Sequence, residues 1–197
     1  MTGDIPDEEL AFRFKSGRLC LDFTATVGER WRRSFERLRE PSDLGRWLVD
    51  TGLAEATPAV TEGELAAARS LREAIYRTAK PAGSRRPNPD DVGEINGWAG
   101  RMPLAPRLGP DGRTVSRWAD RPVEAALATI ARDAIDLFSG PLADRVRECA
   151  RPDCALLFVD RSRPGRRRWC AMAECGNRTK TAAYRRRRKS MTTEGGR

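Results

Sequence analysis

Apolar residues recur at helical intervals along the chain before residue 141, and two stretches predict long amphipathic helices. The first follows a capping box at residues 61–64, where Thr61 and Glu64 can exchange hydrogen bonds with backbone amides. Its inward positions are Leu65, Ala68, Leu71, Ile75 and Ala79. The second begins at Pro122 and ends at Gly140-Pro141. One face of it carries Val123, Leu127, Ile130, Ala134 and Phe138.

Two shorter helices are predicted between these signals. Ser42 is a candidate cap for a helix that ends before Gly52. Its inward residues are Leu44, Trp47 and Leu48. Another helix should begin near Asp90. Its apolar residues are Val92, Ile95 and Trp98.

Extended structure is expected in one place. The turn sequence Pro110-Asp111-Gly112 separates two short segments between Leu104 and Trp118, which predicts a β-hairpin. Leu19 to Val27 fits either a strand or a helix. The sequence therefore predicts a mainly α-helical N-terminal domain, residues 1–140, that contains a small β-hairpin.

Composition narrows the class of protein. No apolar stretch is long enough for a transmembrane helix, and the start of the chain is polar, so we expect a cytoplasmic protein without a membrane partner. Histidine is absent, which excludes histidine-based catalysis and mixed Cys/His zinc sites. The carboxylates are scattered along helices, and no glycine-rich phosphate loop is present. We therefore expect a binding protein and not an enzyme.

Four of the five cysteines form two close pairs near the C-terminus. Cys149 and Cys154 make the first pair, Cys170 and Cys175 the second, and fifteen residues separate the pairs. Thiolates at such spacing favour zinc, whose tetrahedral coordination four sulfurs complete. We predict one structural Zn²⁺. Two disulfides, an iron–sulfur cluster or unligated thiols are the alternatives, and a reducing compartment disfavours the disulfides.

Charge is concentrated around these cysteines. Residues 145–189 hold fifteen Lys or Arg against four Asp or Glu, a local charge of +11, whereas the whole chain carries +9. The rest of the protein is thus close to neutral. This asymmetry predicts a polyanion as the partner of the C-terminal module. A solvated surface or a disordered basic tail is the alternative interpretation.

The order of residues gives this module, residues 141–189, a treble-clef-like arrangement. Leu156-Leu157-Phe158-Val159 predicts a short strand, and residues 163–166 a turn within a hairpin between the cysteine pairs. A helix should start near Gly176-Asn177 and continue to Lys189 with few apolar residues, which suits a recognition helix. Residues 190–197 are expected to be a disordered tail.

These strings resemble a known family. The chain carries Arg167-Arg168-Trp169-Cys170 and Cys175-Gly176-Asn177-Arg178, with the spacing of the CGNR zinc finger. The stretch from Gly17 to Phe23 looks like the opening of the ABATE domain that precedes this finger. The resemblance implies a stress-induced regulator of transcription, and it implies that a small molecule or a protein signals through the N-terminal domain.

The sequence thus predicts a zinc-finger protein that binds duplex DNA and regulates transcription. We expect a cluster of three residues to contact phosphate: Arg166, Arg167 and Arg168. Four more should line the helix face nearest the duplex: Arg178, Lys180, Arg185 and Arg186. RNA, or an acidic protein partner, is the alternative target. A homodimer is compatible with the sequence.

Overall fold

The computed structural model describes residues 5–80 and 86–181, which form helices joined by short antiparallel strand pairs. The helices are α1 (Asp7–Leu10), α2 (Leu19–Thr24), α3 (Pro41–Asp50), α4 (Glu62–Ala79), α5 (Pro89–Ala99) and α6 (Pro122–Ser139). The strand pairs are β1 (Val27–Gly28) with β2 (Phe35–Glu36), β3 (Ala105–Leu108) with β4 (Val115–Trp118), and β5 (Val146–Glu148) with β6 (Leu157–Val159). The predicted mainly α fold with small hairpins is confirmed.

The two long helices follow the sequence pattern. At the start of α4, the Thr61 hydroxyl accepts a hydrogen bond from the Glu64 amide at 3.2 Å, and the Glu64 carboxylate accepts one from the Thr61 amide at 2.8 Å. The predicted inward residues of α4 are all buried. In α6 the predicted stripe is buried from Val123 to Ala134, whereas Phe138 is only partly covered. Helical spacing therefore identified the side of each long helix that faces the core.

Helix α3 begins one residue before its predicted cap. Glu40, and not Ser42, caps the helix, because Pro41 takes the first helical position and has no amide hydrogen to satisfy. The Asp43 carboxylate accepts a hydrogen bond from the Glu40 amide at 3.1 Å, which completes a capping box. The predicted inward residues Leu44, Trp47 and Leu48 are fully buried.

The ambiguous segment from Leu19 to Val27 contains both structures. It forms helix α2 first and enters strand β1 at Val27. Cys20 lies fully buried in α2 as a free thiol. Its amide donates a hydrogen bond to the Asp133 carboxylate of α6 at 2.8 Å, which fixes α2 against the long helix.

Two of the three predicted apolar residues of helix α5, Ile95 and Trp98, are buried, and Val92 is not. Asp91 is buried and accepts a hydrogen bond from Arg77 of α4 at 2.9 Å, whereas Val92 remains 38% exposed. The ion pair therefore takes the position that the sequence pattern assigned to an aliphatic side chain. The predicted hairpin β3–β4 follows, with Leu108 paired to Val115, and both of these side chains are exposed.

Buried arginines attach the β1–β2 loop to the helices. The Arg72 guanidinium donates to both carboxylate oxygens of Glu36 at 2.7 Å. Arg30 makes a similar two-pronged contact with Glu73, at 2.7 and 3.0 Å. Arg37 is 3% exposed and donates to the carbonyl oxygen of Ala25 at 2.9 Å. These contacts hold the β1–β2 hairpin against the helices, beside the cysteine module.

Strand β6 belongs to two hydrophobic cores because successive strand residues point to opposite faces. Leu157 and Val159 lie in the core of the helices, whereas Phe158 lies in a second core with the cysteines. Ala25, from the N-terminal domain, also packs in this second core. The strand pairs with β5, upstream of the first cysteine pair, and not with the segment after residue 166 as the predicted intercysteine hairpin required.

Candidate metal centre and basic surface

The first cysteine pair lies in the turn that joins β5 to β6. The Cys149 amide donates to the Leu156 carbonyl at 2.9 Å, and the Cys154 amide donates to the Arg151 carbonyl at 3.1 Å. Ala155 has a positive φ of 54°, which turns the chain back towards β6. The hairpin therefore presents both sulfurs from one tight turn.

The second pair begins the C-terminal helix. Cys175 lies in a π-helical turn, Met172–Gly176, which continues as α-helix over residues 177–181 within the described part. A Cβ atom on Gly176 would lie 2.3 Å from the Met172 sulfur and 2.8 Å from Trp169 Cδ1. Any larger residue at this position would require both side chains to shift, which favours glycine after the fourth cysteine.

The four sulfurs fit a single zinc ion. A tetrahedron with Zn–S bonds of about 2.3 Å has edges of about 3.8 Å. The observed Sγ–Sγ distances are 3.7 Å for Cys154–Cys170, 3.5 Å for Cys170–Cys175 and 3.7 Å for Cys154–Cys175, and all four sulfurs lie within 4.8 Å of one another. The cysteines therefore bind one zinc ion through four sulfurs.

Burial and electrostatics make this a structural centre. Cys149, Cys170 and Cys175 are almost completely buried, and Cys154 is partly buried. Hydrogen bonding from the neighbouring thiols, Cys154 first, lowers the pKa of Cys149, whereas hydrogen bonding with Cys149 raises the pKa of Cys170. Adjacent thiolates repel one another unless a cation is bound among them. With four protein ligands, zinc has no position left for a reacting water.

Asp160 organises the loop between the cysteine pairs, although it belongs to neither the cysteine pairs nor the basic clusters of the sequence. It is fully buried and accepts hydrogen bonds from the Ser162 hydroxyl at 2.6 Å, the Ser162 amide at 2.9 Å and the Arg167 amide at 2.8 Å. Hydrogen bonding from Ser162 is the main cause that lowers the pKa of Asp160 to about 2. An Asp two residues before a Ser is a signal for such a turn and could have identified it.

The arginine cluster and Lys180 lie on one surface of the finger. Arg166, Arg167 and Arg168 are exposed and, with Lys180, surround Trp169 and Met172 in a groove of about 390 Å³. Arg168 stacks on the Trp169 ring, with its guanidinium carbon 4.5 Å from the ring centroid. We call this surface the basic groove. It brings together cations that are twelve or more residues apart in sequence.

Arg167 differs from its neighbours because its side chain contacts the finger itself. Its guanidinium donates to the carbonyl of Trp169 at 2.8 Å and to that of Cys170, and it lies 5.0 Å above the Phe158 ring. Arg167 therefore holds the backbone at the third cysteine while its surface stays exposed.

Arg178 lies away from the basic groove. Residues two apart on a helix point about 200° apart, so Arg178 and Lys180 face opposite directions. Arg178 lines a separate cavity of about 440 Å³ between the finger and the N-terminal domain. Arg185 and Arg186, the other predicted contacts on this helix, lie outside the described residues, as does the predicted tail at 190–197.

A closed four-thiolate centre beside a helical domain defines a zinc-finger protein. Two family models match the chain: ABATE, described as "Putative stress-induced transcription regulator", over residues 17–141, and the CGNR zinc finger over residues 145–188. The chain therefore belongs to the ABATE family and carries a CGNR zinc finger, as the sequence motifs predict. A search of curated proteins found no match.

Within residues 5–80 and 86–181, no helix combines the length and the apolar character that crossing a membrane requires.

Proposed function

We propose that this zinc-finger regulator binds duplex DNA through the basic groove and thereby controls transcription. The observation that supports it is the convergence of Arg166, Arg168 and Lys180 around Trp169 on a module held rigid by zinc. Cations on a rigid surface can meet successive phosphates, and phosphate contacts supply most of the affinity for DNA. The proposed role is binding without catalysis, in the cytoplasm.

The energetic contribution of each cation depends on what else it touches. Arg166 and Arg168 are exposed, and no described carboxylate forms an ion pair with either. Lys180 faces the groove from the fourth residue of the α-helical segment 177–181, where a side chain can reach a base edge if this part of the helix enters the major groove. Arg167 would contribute its charge while it also supports the fold. The prediction that Arg178, Arg185 and Arg186 line the duplex stays a prediction.

The test is duplex binding by zinc-loaded protein, measured by fluorescence anisotropy at several salt concentrations. The double variant Arg166→Ala/Arg168→Ala removes two cations without touching the supporting contacts of Arg167. If both contact phosphate, the magnitude of the slope of log K against log salt should fall by about 1.8. The matched control, Arg113→Ala/Arg117→Ala, removes two exposed charges from the region of the β3–β4 hairpin and should leave the slope unchanged.

Specificity is tested separately. Lys180→Ala should weaken binding to a duplex selected from a random pool by about 1–3 kcal/mol relative to random duplex, if Lys180 contacts a base. Structured RNA and an acidic polypeptide are measured in parallel. Equal slopes for the groove variant and its control would contradict the proposal, and so would saturable binding confined to the RNA or the polypeptide.

A further inference from the structure

The cavity that contains Arg178 lies where the N-terminal domain meets the finger. One wall comes from α1, the β1–β2 loop and the segment between them, and the other comes from the first cysteine turn and the C-terminal helix. Its volume of about 440 Å³ is in the range of small-molecule sites. Cys154, a zinc ligand, also lines it.

Six arginines line this cavity against four carboxylates, so its lining carries a net positive charge. Three of the four carboxylates already form ion pairs with arginines of the same lining. Arg33 pairs with Glu9 and Glu29, and Arg151 pairs with Asp153. Glu8 is the remaining acidic residue of the lining. The pairs therefore neutralise part of the lining and leave an excess of cations.

Arg37 lies at the base of the lining and serves the fold. Its guanidinium donates to the carbonyls of Glu9 and Ala11 at 3.0 Å and of Ala25 at 2.9 Å. Burial, and next the charge of Arg13, lowers the pKa of Arg37 to about 10. Arg13 and Arg37 are thus close enough to repel one another, and an anion bound beside Arg13 would relieve the repulsion.

Three arginines remain, and none forms an ion pair with a described residue: Arg13, Arg32 and Arg178. Arg13 is partly buried, and Arg32 and Arg178 are exposed. Two of them belong to the N-terminal domain and one to the finger. Apolar surface from Val27, Phe35 and Leu156 lies among these charges. The lining thus offers guanidinium groups for anions and a hydrophobic surface for a carbon skeleton.

We propose that this cavity binds a small organic anion with at least two carboxylate or phosphate groups, held by Arg13 and Arg32 of the N-terminal domain and by Arg178 of the finger. Guanidinium groups bind both kinds of anion through paired hydrogen bonds. The ligand would contact both domains and so resist their separation. Binding at this site does not depend on the proposed interaction with DNA.

The test is calorimetric titration of the zinc-loaded full chain with citrate and with pyrophosphate, at matched ionic strength. Saturable binding of one ligand per chain is expected, and the tighter probe identifies the ligand as a carboxylate or a phosphate. The variants Arg13→Gln, Arg32→Gln and Arg178→Gln should each weaken it by about tenfold or more, as for the loss of a charge-assisted hydrogen bond. Arg117→Gln, on the exposed β4 strand, is the matched control and should change nothing.

Zinc content and melting temperature check that each variant keeps its fold. Both should be unchanged, since none of the three arginines forms an ion pair within the described chain. If neither probe binds, or if Arg117→Gln weakens binding as much as the other three, the proposal is wrong. Loss of binding in the Arg13 and Arg32 variants but not in Arg178→Gln would also contradict it, because the ligand would then contact only one domain.

Discussion

Arg167 shows how two neighbours in a basic run can have different roles. From the sequence alone, the same contact with phosphate is expected of Arg166, Arg167 and Arg168, since a run of identical residues does not show where each side chain points. In the structure the Arg167 guanidinium turns inward to the carbonyls of Trp169 and Cys170. Only the folded path of the chain around the zinc centre turns these carbonyls towards Arg167, so the local sequence could not reveal the contacts.

Arg167→Ala should therefore weaken the finger itself. Two carbonyl contacts and the stacking on Phe158 are lost, and we expect a cost of about 1–2 kcal/mol in finger stability. The rate of zinc release to a chelator, measured with a colorimetric indicator, should rise accordingly. Arg166→Ala removes the same charge from an exposed neighbour and should release zinc at the wild-type rate. Identical rates for the two variants would show that Arg167 has no supporting role.

Asp160→Asn should destabilise the finger by about 1–3 kcal/mol. One carboxylate oxygen accepts from Ser162 and the other from the Arg167 amide, so an Asn amide group would face a donor in either orientation. Urea unfolding of zinc-loaded protein, with the exposed Asp144→Asn as the control, measures the difference.

The pH dependence of this difference follows from the sign of the pKa shift. The folded pKa of Asp160 is lowered to about 2, below an unfolded value of about 3.9. Its stabilisation is thus fully present above about pH 4 and is lost only as the pH falls towards 2. The gap between wild type and Asp160→Asn should therefore stay constant from pH 8 to pH 5. A gap that closes within this range would contradict the assignment.

At the scale of elements, the sequence predicted those features that depend on interactions between neighbouring residues. The capping box and spacing of α4 were confirmed because they depend on residues within one or two turns. The burial of Ile95 and Trp98 in α5 was confirmed, but the burial of Asp91 in place of Val92 was not predictable, because it depends on Arg77 of another helix. The predicted pairing of β6 with the segment after residue 166 was wrong for the same reason, since strand pairing depends on distant residues. Nucleic-acid contacts remain predictions at every position.

Thr61→Ala should cost about 1 kcal/mol of global stability, because the Glu64 amide loses its side-chain acceptor at the start of α4. Thermal or urea unfolding measures this cost. Thr61→Ser keeps the hydroxyl and should recover most of the loss. If the serine variant is as unstable as the alanine variant, packing of the threonine methyl group and not capping explains the effect.

At the scale of the whole molecule, the two cores meet at one strand. The sequence predicts an N-terminal domain that ends at residue 140 and a separate finger, and that division stays a prediction. The structure adds that Val146, Leu157 and Val159 of the finger hairpin are buried in the core of the helices. Sequence periodicity could not show this, because three-residue strands are too short to define a face.

Zinc removal should therefore affect both parts. Chelation should unfold the finger, since structural zinc supplies on the order of 10–16 kcal/mol. We expect the melting temperature of the helical domain to fall by roughly 5–15 °C, as the apolar contacts of β6 are lost. Circular dichroism measures both changes, and zinc should restore them. Cys170→Ser should reproduce the effect.

Truncation after Gly140 is the independent check. The fragment should be helical and should melt close to the temperature of the helical domain in chelated full-length protein, because both lack the β6 contacts. An unfolded fragment would show that the helices cannot form a core without the finger. Protein purified under reducing conditions without bound zinc would contradict the metal centre itself.

The alternation of side chains along β6 limits how this finger can be reused. A graft of residues 145–181 onto another protein would expose Val146, Leu157 and Val159, which are each at most 5% exposed here, along the face of a short hairpin. Such a chimera would tend to aggregate unless these three positions became polar. A one-residue insertion in β6 would be equally damaging, because it would turn Phe158 away from the zinc and towards the helices. The finger therefore cannot be transferred unchanged to another protein, and its sequence must change together with that of the domain against which it packs.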